Sequence, residues 1–279
     1  MRQFILSGQE IRNGLVSIDG NDYRYLRQVL RVRPGDMISV RLEDGSLTNA
    51  TVAKVDDKKR CVLLQFCAAG ENSFGADEGS ITRGVQASAL NSGFSSGIEF
   101  WLFQFITKPQ KFEQIVRQAT ECGISKIIPV KGEYSEKSSV LAFEGNKRER
   151  LERIIREARQ QSGSPVSTEI LPPLGLEDAL SLWQKNDCQD DGGLSVLGIV
   201  LYERTDKTEN LSALVNRKKN GLKKAAVCVG CEGGISPAEI EFLSEKGLFH
   251  RVHFAVNILR AETAALYGIA ALQSAILSE

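Results

Sequence analysis

The sequence has no net charge at neutral pH, because 35 basic side chains stand against 35 acidic ones in 279 residues. A polycation that grips nucleic acid over its whole surface is thereby excluded, although a local basic patch remains compatible with a neutral total. Long apolar runs are missing too. The most apolar stretches, 194–202 and 264–277, are too short or too interrupted by polar residues to cross a bilayer. The opening MRQFILSGQE has no sustained apolar core or small-residue cleavage site, so a cytoplasmic location is expected.

Histidine is scarce, with two residues, and the six cysteines at 61, 67, 122, 188, 228 and 231 are scattered, mostly inside apolar runs. That distribution fits reduced, buried thiols better than a disulfide framework. Cys228 and Cys231 form a C-x-x-C with His250 and His253 downstream. The histidines are spaced more closely than in zinc motifs, and Cys228 lies in a strand-like apolar run, so no metal site is expected. The G-x-G-x-x-G fingerprint and the P-loop signature are absent, which removes the motif-based case for dinucleotide or triphosphate binding.

What is present is strongly patterned. Within 1–70, β-rich runs at 3–6, 15–18, 37–42, 47–55 and 61–66 are separated by Pro34-Gly35-Asp36, Asp44-Gly45 and a polar turn at 56–60, which predicts a small β-barrel. Residues 21–31 read as its one helix. Tyr25, Leu26, Val29 and Leu30 fall on one side, and Arg24, Arg27 and Arg31 elsewhere form a first candidate basic patch. Residues 68–97 are dominated by Gly, Ser, Ala and Asn and read as a linker, because they offer too little apolar area to offset chain entropy. From 98 onward, apolar runs at 98–106, 126–130, 196–202, 225–230 and 252–256 alternate with helical patterns, which predicts an α/β domain with a largely parallel sheet.

Ligands of such sheets bind beyond the carboxyl ends of the strands, and two segments fall there. VGCEGG, at 229–234, closes an apolar run with Gly230, Gly233 and Gly234, which let a ligand approach the backbone closely. RVHFAVNILRAETAA, at 251–265, passes from an apolar run through Asn257 into a helical pattern that starts near Arg260. Together they read as a cofactor cradle. A tight turn before a helix at 237–246, with Ser236 as N-cap and Pro237 in the first turn, accounts for the same glycines without a ligand. KRERLERIIREARQQ, at 147–161, interleaves arginine and glutamate around a stripe of Leu151, Ile154, Ile155 and Ala158. It fits a solvated face laced by i, i+4 pairs, or RNA contact with Arg159 best placed for it. Lys108 and Lys111 beside Pro109 fit phosphate binding or plain loop surface.

ITKPQKFEQIVRQATECGISKIIPV, KRERLERIIREARQQSG, VGCEGGISPAEI and VHFAVNILRAETAALYGIAAL, with YRYLRQVLRVRPGD near the start, resemble the RsmE family of 16S ribosomal RNA uridine N3-methyltransferases. The resemblance covers nearly the whole chain outside the linker. It implies a PUA-like RNA-binding barrel at 1–70, a linker at 71–97, and a SPOUT domain at 98–279 whose C-terminal trefoil knot binds S-adenosylmethionine. It also implies a homodimer that acts on ribosomal RNA in assembled small subunits. The cofactor residues would be Leu201, Tyr202, Glu203, Gly230, Gly233, Gly234, Ile235, Phe254, Ala255, Asn257, Ile258 and Leu259, with Thr263 at the start of the last helix.

Transfer to uracil N3 requires loss of its proton, so alignment and a base supply most of the acceleration. Glu262 is the candidate to accept that proton or orient the base, and Arg260 to stabilise anionic uracil or a phosphate. The alternative is a structural pair at a dimer interface or helix start. Arg2, Arg27, Arg31, Lys108 and Arg159 are the candidate RNA contacts. Four positions depart from the family pattern: Cys231 in place of proline, Ala255 in place of glycine, and Asn257 and Ser164 in place of arginines. They motivate a second expectation, a catalytically weakened RNA-binding or ribosome-assembly factor with the same fold.

Overall fold

The computed structural model describes residues 3–6, 8–66, 97–143, 147–185, 196–204, 207–218 and 220–278. Arg2 and the 71–97 linker, apart from Gly97, lie outside the described residues. Two compact units result. The first gathers the described residues up to 66 together with Gln160–Pro165, and the second contains 97–159 and 166–278.

In the first unit, β1 (Phe4–Ile5), β2 (Leu15–Ile18), β3 (Met37–Arg41), β4 (Leu47–Asp56) and β5 (Cys61–Phe66) form one sheet in the order β1-β3-β4-β5-β2. Only β1 and β3 pair in parallel; the other neighbours are antiparallel. Alternate residues point inward, as a two-residue period requires, so Val16, Ile18, Val40, Ala50, Val52, Val62 and Leu64 share one core with Phe4, Leu6, Leu26 and Val32. A slip in register between Val52 and Lys54 interrupts the β4–β5 ladder. The barrel anticipated from the turn spacing is here a five-stranded sheet.

The helix anticipated at 21–31 divides in two. α1 (Gly20–Arg24) runs into a π-helical turn at Tyr25–Leu30, which Arg31 ends at a φ of 55°. A π turn takes more than 3.6 residues, so helical spacing misplaces the side chains. Within that turn only Leu26 is buried, while Val29 is exposed. Arg41 is buried as well. Its guanidinium donates to Gln3 Oε1 (2.8 Å), the Gly45 carbonyl (2.7 Å) and the Gly163 carbonyl (3.3 Å), which ties the 160–165 segment into this unit.

The second unit is built on β6 (Glu99–Phe105), β7 (Lys126–Lys131), β8 (Glu169–Ile170), β9 (Leu174–Gly175), β10 (Val196–Leu201), β11 (Lys224–Val229) and β12 (Phe249–Val252). The order is β12-β10-β11-β6-β7-β8, with β9 also pairing β7, and every pairing is parallel. The helices are α2 (Pro109–Glu121), α3 (Lys137–Phe143), α4 (Lys147–Ser162), α5 (Leu176–Lys185), α6 (Leu211–Lys218), α7 (Pro237–Glu245) and α8 (Ala261–Leu277). Both faces of the sheet are covered, which is why all six residues of β11 are buried and its sequence does not alternate.

On one side α2, α6 and α8 contribute Phe112, Ile115, Leu214, Ile269 and Leu272 to a core with Leu102, Ile199 and Val227. On the other, Trp101, Phe103, Trp183 and Phe249 meet edge to face, with ring centroids 5.2–5.8 Å apart in three of the pairs. The apolar run at 252–256 is not a strand, contrary to the sequence reading. β12 stops at Val252, Val256 and Ile258 are exposed, and Phe254 packs edge to face on Tyr267. Their apolar character answers to the surroundings of a loop rather than to a sheet face.

Candidate active site

β10, β11 and β12 are neighbours and parallel, so their carboxyl ends, Leu201, Val229 and Val252, deliver three loops to one edge of the sheet. These loops line a cavity of about 520 Å³. Leu201, Tyr202 and Glu203 come from the first, 229–235 from the second, and most of 252–261 with Ala264 from the third; Lys111 of α2 completes the wall. That volume lies within the range of small-molecule sites, roughly 300–1,000 Å³.

The glycine loop is shaped by its own chain before any ligand is considered. A Cβ on Gly230 would stand 2.8 Å from the Gly234 carbonyl carbon, and one on Gly233 would stand 2.9 Å from Tyr134 Cβ. Gly234 has a φ of +80°, a conformation that other residues rarely adopt. From below, the buried Gln104 amide donates to the carbonyls of Val229 (3.3 Å) and Gly230 (3.1 Å). Ser236 then caps α7 in a reciprocal box: Glu239 N–H donates to Ser236 Oγ (3.3 Å), and Ser236 N–H donates to Glu239 Oε2 (2.9 Å). The turn-before-helix reading and the ligand-loop reading therefore describe the same segment, and the cavity distinguishes what the loop can do.

A charged cluster borders this cavity. Lys111 Nζ lies 3.4 Å from Glu232 Oε1 and 3.6 Å from Glu262 Oε2. Glu232 also accepts from the backbone N–H of Lys108 at 3.2 Å. Burial works to raise the Glu232 carboxyl, but the backbone N–H groups of Glu232 and Lys108 and the Lys111 ammonium outweigh it and hold the group below the usual carboxylate range. The Glu262 side chain is 13% exposed, and its Oε2 is buried without a hydrogen-bond donor among the described residues. Lys111 lies within ion-pair range of that oxygen but beyond a hydrogen bond. Arg260 lines the cavity as the N-cap residue of α8.

Of the residues anticipated for a cofactor, Leu201, Tyr202, Glu203, Gly230, Gly233, Gly234, Ile235, Phe254, Asn257, Ile258 and Leu259 line the cavity. Ala255 and Thr263 do not; both are exposed. Sequence reasoning gave Glu232 and His253 no role and left Lys111 between phosphate contact and loop surface. The available signal was a carboxylate inside a glycine loop, whose cationic partner only the fold reveals. Cys231 is buried with its Sγ 3.4 Å from the Gly234 carbonyl, and burial pushes its thiol up. Cys228 is fully buried in the aromatic core, where desolvation pushes its thiol far up.

The candidate RNA residues are more dispersed. Arg27 donates through Nε and Nη2 to the two carboxylate oxygens of Asp57, both at 3.0 Å, and through Nη1 to the Val32 carbonyl. Its guanidinium is thus occupied within the first unit. Arg31 and Lys108 are exposed, and Arg159 is half-buried. Ser164 is buried in the first unit, where its carbonyl accepts from Gln3 Nε2 at 3.4 Å.

A parallel sheet with a ligand cavity at the ends of three adjacent strands, joined in one chain to a small β-sheet unit, defines a two-unit α/β protein with a small-molecule site. An RNA methyltransferase domain matches residues 95–273, and an RNA methyltransferase PUA domain matches residues 18–65. The first match spans most of the chain, which therefore belongs to the RNA methyltransferase domain family.

The chain is 26% identical over 287 residues to Ribosomal RNA small subunit methyltransferase E of Bacillus subtilis (strain 168), covering 97% of this chain and 95% of that protein. It is 34% identical over 169 residues to the protein of the same name from Aquifex aeolicus (strain VF5), covering 59% and 64%. Among solved structures, Ribosomal RNA small subunit methyltransferase E from Neisseria gonorrhoeae bound to S-adenosyl methionine is similar with a TM-score of 0.68 at 22% identity, covering 98% of this chain and 97% of that one. The last likeness is one of fold.

Proposed function

We propose that this protein transfers the methyl group of S-adenosylmethionine to N3 of a specific uridine in 16S ribosomal RNA. The reading includes a cytoplasmic homodimer with a trefoil-knotted SPOUT domain at 98–279, acting on assembled small subunits, and a PUA-like unit at 1–70 that helps hold RNA. The observation that carries it is the convergence of the loops after β10, β11 and β12 on one cavity beside Lys111 and Glu262. Small-subunit methyltransferases among the relatives support the choice of RNA.

The cavity fits the cofactor by its chemistry. Leu201, Ile235 and Leu259 offer apolar surface for a flat base, while the loop at 230–235, free of side chains at three positions, exposes backbone donors and acceptors to polar groups. S-adenosylmethionine supplies a methyl carbon already activated by its sulfonium. What remains for the chain is alignment and removal of the N3 proton. Glu262 takes that proton, and Arg260 at the cavity wall stabilises the anionic base or an adjacent phosphate. Exposed Ile258, Tyr267 and Leu277, on and just before α8, support a face that a second copy covers.

Mass spectrometry of 16S ribosomal RNA from cells with and without the gene tests the reading. Loss of a single N3-methyluridine is expected; an unchanged spectrum would overturn it and favour an RNA-binding assembly factor. Calorimetry with S-adenosylmethionine checks the premise, and absence of binding at millimolar ligand would remove it.

A further inference from the structure

We propose that Lys111 is a positioning residue for methyl transfer, whose ammonium, held between Glu232 and Glu262, fixes the Glu262 carboxylate for the acceptor base. The proposal rests on the methyltransferase reading above and adds a residue and a division of labour to it.

Glu262 sits in the first turn of α8, and its side chain is 13% exposed. A carboxylate in such a place loses hydration, which disfavours its charge unless a counter-charge is near. Lys111 Nζ, 3.6 Å from Oε2, is that counter-charge. Yet the same oxygen has no hydrogen-bond donor among the described residues, whereas buried polar atoms in folded proteins almost always find one. This oxygen is thus held by charge alone, against the lysine that forms part of the cavity wall.

A plain structural ion pair between α2 and α8 accounts for less. Those helices already pack through Ile115, Val116, Ile269 and Leu272 in the shared core, so an extra tether adds little. Lys111 is also held from its other side by Glu232 at 3.4 Å, and Glu232 is fixed in turn by the Lys108 N–H. Glu232 belongs to the glycine loop that lines the cofactor cavity. The ammonium is therefore suspended between the cofactor loop and the proton acceptor, and ordering of that loop sets where Glu262 points. The charged and titratable groups around this cluster are Lys108 and Lys111 at the start of α2, Glu232 in the loop, and His253 and Arg260 on the cavity wall.

The step balances with no further reactant. The N–H bond of the acceptor base breaks and its proton passes to the Glu262 carboxylate. The nitrogen lone pair forms a bond to the methyl carbon as the carbon–sulfur bond breaks, and that electron pair stays on sulfur and cancels the sulfonium charge. Glu262 then returns its proton to solvent.

Full-length Lys111→Met, Lys111→Arg, Glu262→Gln and the Lys111→Met/Glu262→Gln double variant would be compared on small subunits from cells lacking the gene, with S-adenosylmethionine affinity read by calorimetry and rates read in single turnovers. Lys111→Met is expected to bind the cofactor within about threefold of wild type while its rate falls by about 10²-fold, a typical worth of proton transfer. Lys111→Arg should recover most of the rate, and the double variant should be no slower than Glu262→Gln.

A Lys111→Met rate near that of wild type, a rate lost only in step with cofactor affinity, no recovery in Lys111→Arg, or losses that multiply in the double variant, would overturn the proposal. If Lys111→Met does not fold, Lys111→Gln is read by the same criteria. Failure of the underlying reading looks different: wild-type protein itself would transfer no methyl group.

Discussion

Two lysines at opposite ends of one sheet are treated in opposite ways. Lys224 opens β11 and is 4% exposed; its Nζ lies 4.1 Å from the Trp183 ring centroid and 4.5 Å from that of Trp101, and it donates to the Trp183 carbonyl at 2.9 Å. Lys111 stands near the other end of the same strand and faces two carboxylates across a cavity wall. The first cation is enclosed by aromatic faces and a neutral acceptor, an arrangement that holds the amino end of the sheet together. The second is placed against charges that remain partly unsatisfied. One end of the strand encloses its cation in aromatic rings, and the other shares its cation between two carboxylates at the cavity.

The comparison can be broken most severely at the closed end. Trp183→Ala removes a 1% exposed indole that touches Trp101, Phe103, Phe249 and Lys224, and should lower unfolding free energy by about 3–5 kcal/mol in urea titrations. A loss below about 1 kcal/mol would mean that the aromatic cluster does not organise this end.

At the open end, Gly230→Ala forces a methyl against the Gly234 backbone, costs about 1–3 kcal/mol, and should weaken S-adenosylmethionine binding about tenfold or more in calorimetry. Unchanged affinity would detach the glycine loop from the cofactor. Lys224→Met sharpens the contrast between the lysines, since it keeps the apolar stem and deletes the charge. It should lower stability by about 1–2 kcal/mol in the same urea titrations and leave the methyl-transfer rate of the folded protein alone, whereas Lys111→Met is expected to lower that rate.

The smallest effect lies in the first unit. The Tyr23 hydroxyl and the Arg27 guanidinium hold the Asp57 carboxyl below the usual aspartate range. A depressed folded value contributes stability above the unfolded value, and that contribution is lost as pH falls through the folded one. Asp57→Asn should therefore make the urea midpoint less sensitive to acid. It also releases Arg27, so tighter RNA binding by this variant in a salt titration would restore Arg27 as an RNA contact that Asp57 normally restrains.

β5 is legible because its alternation follows from one buried face, and β11 because a strand buried on both faces is a continuous apolar run. β8 and β9 were not, since two residues carry no periodicity and their pairing is set by β7. The run at 252–256 misled because apolar residues on a ligand loop look like those of a strand. Arg27 read as a free cation because its partner Asp57 lies 30 residues away, across the sheet.

The sequence by itself determined the parallel α/β arrangement, the glycine loop, and the candidate cradle at strand ends, because local turn chemistry and apolar spacing fix where strands stop. Only the tertiary structure decided what that cradle contains. Lys108 and Glu232 are 124 residues apart and meet only through the order in which the sheet is wound. The same winding brings Lys111 between Glu232 and Glu262. Charge–charge geometry across such separations has no signature in local pattern, since Coulomb interaction depends on distance in space and not along the chain.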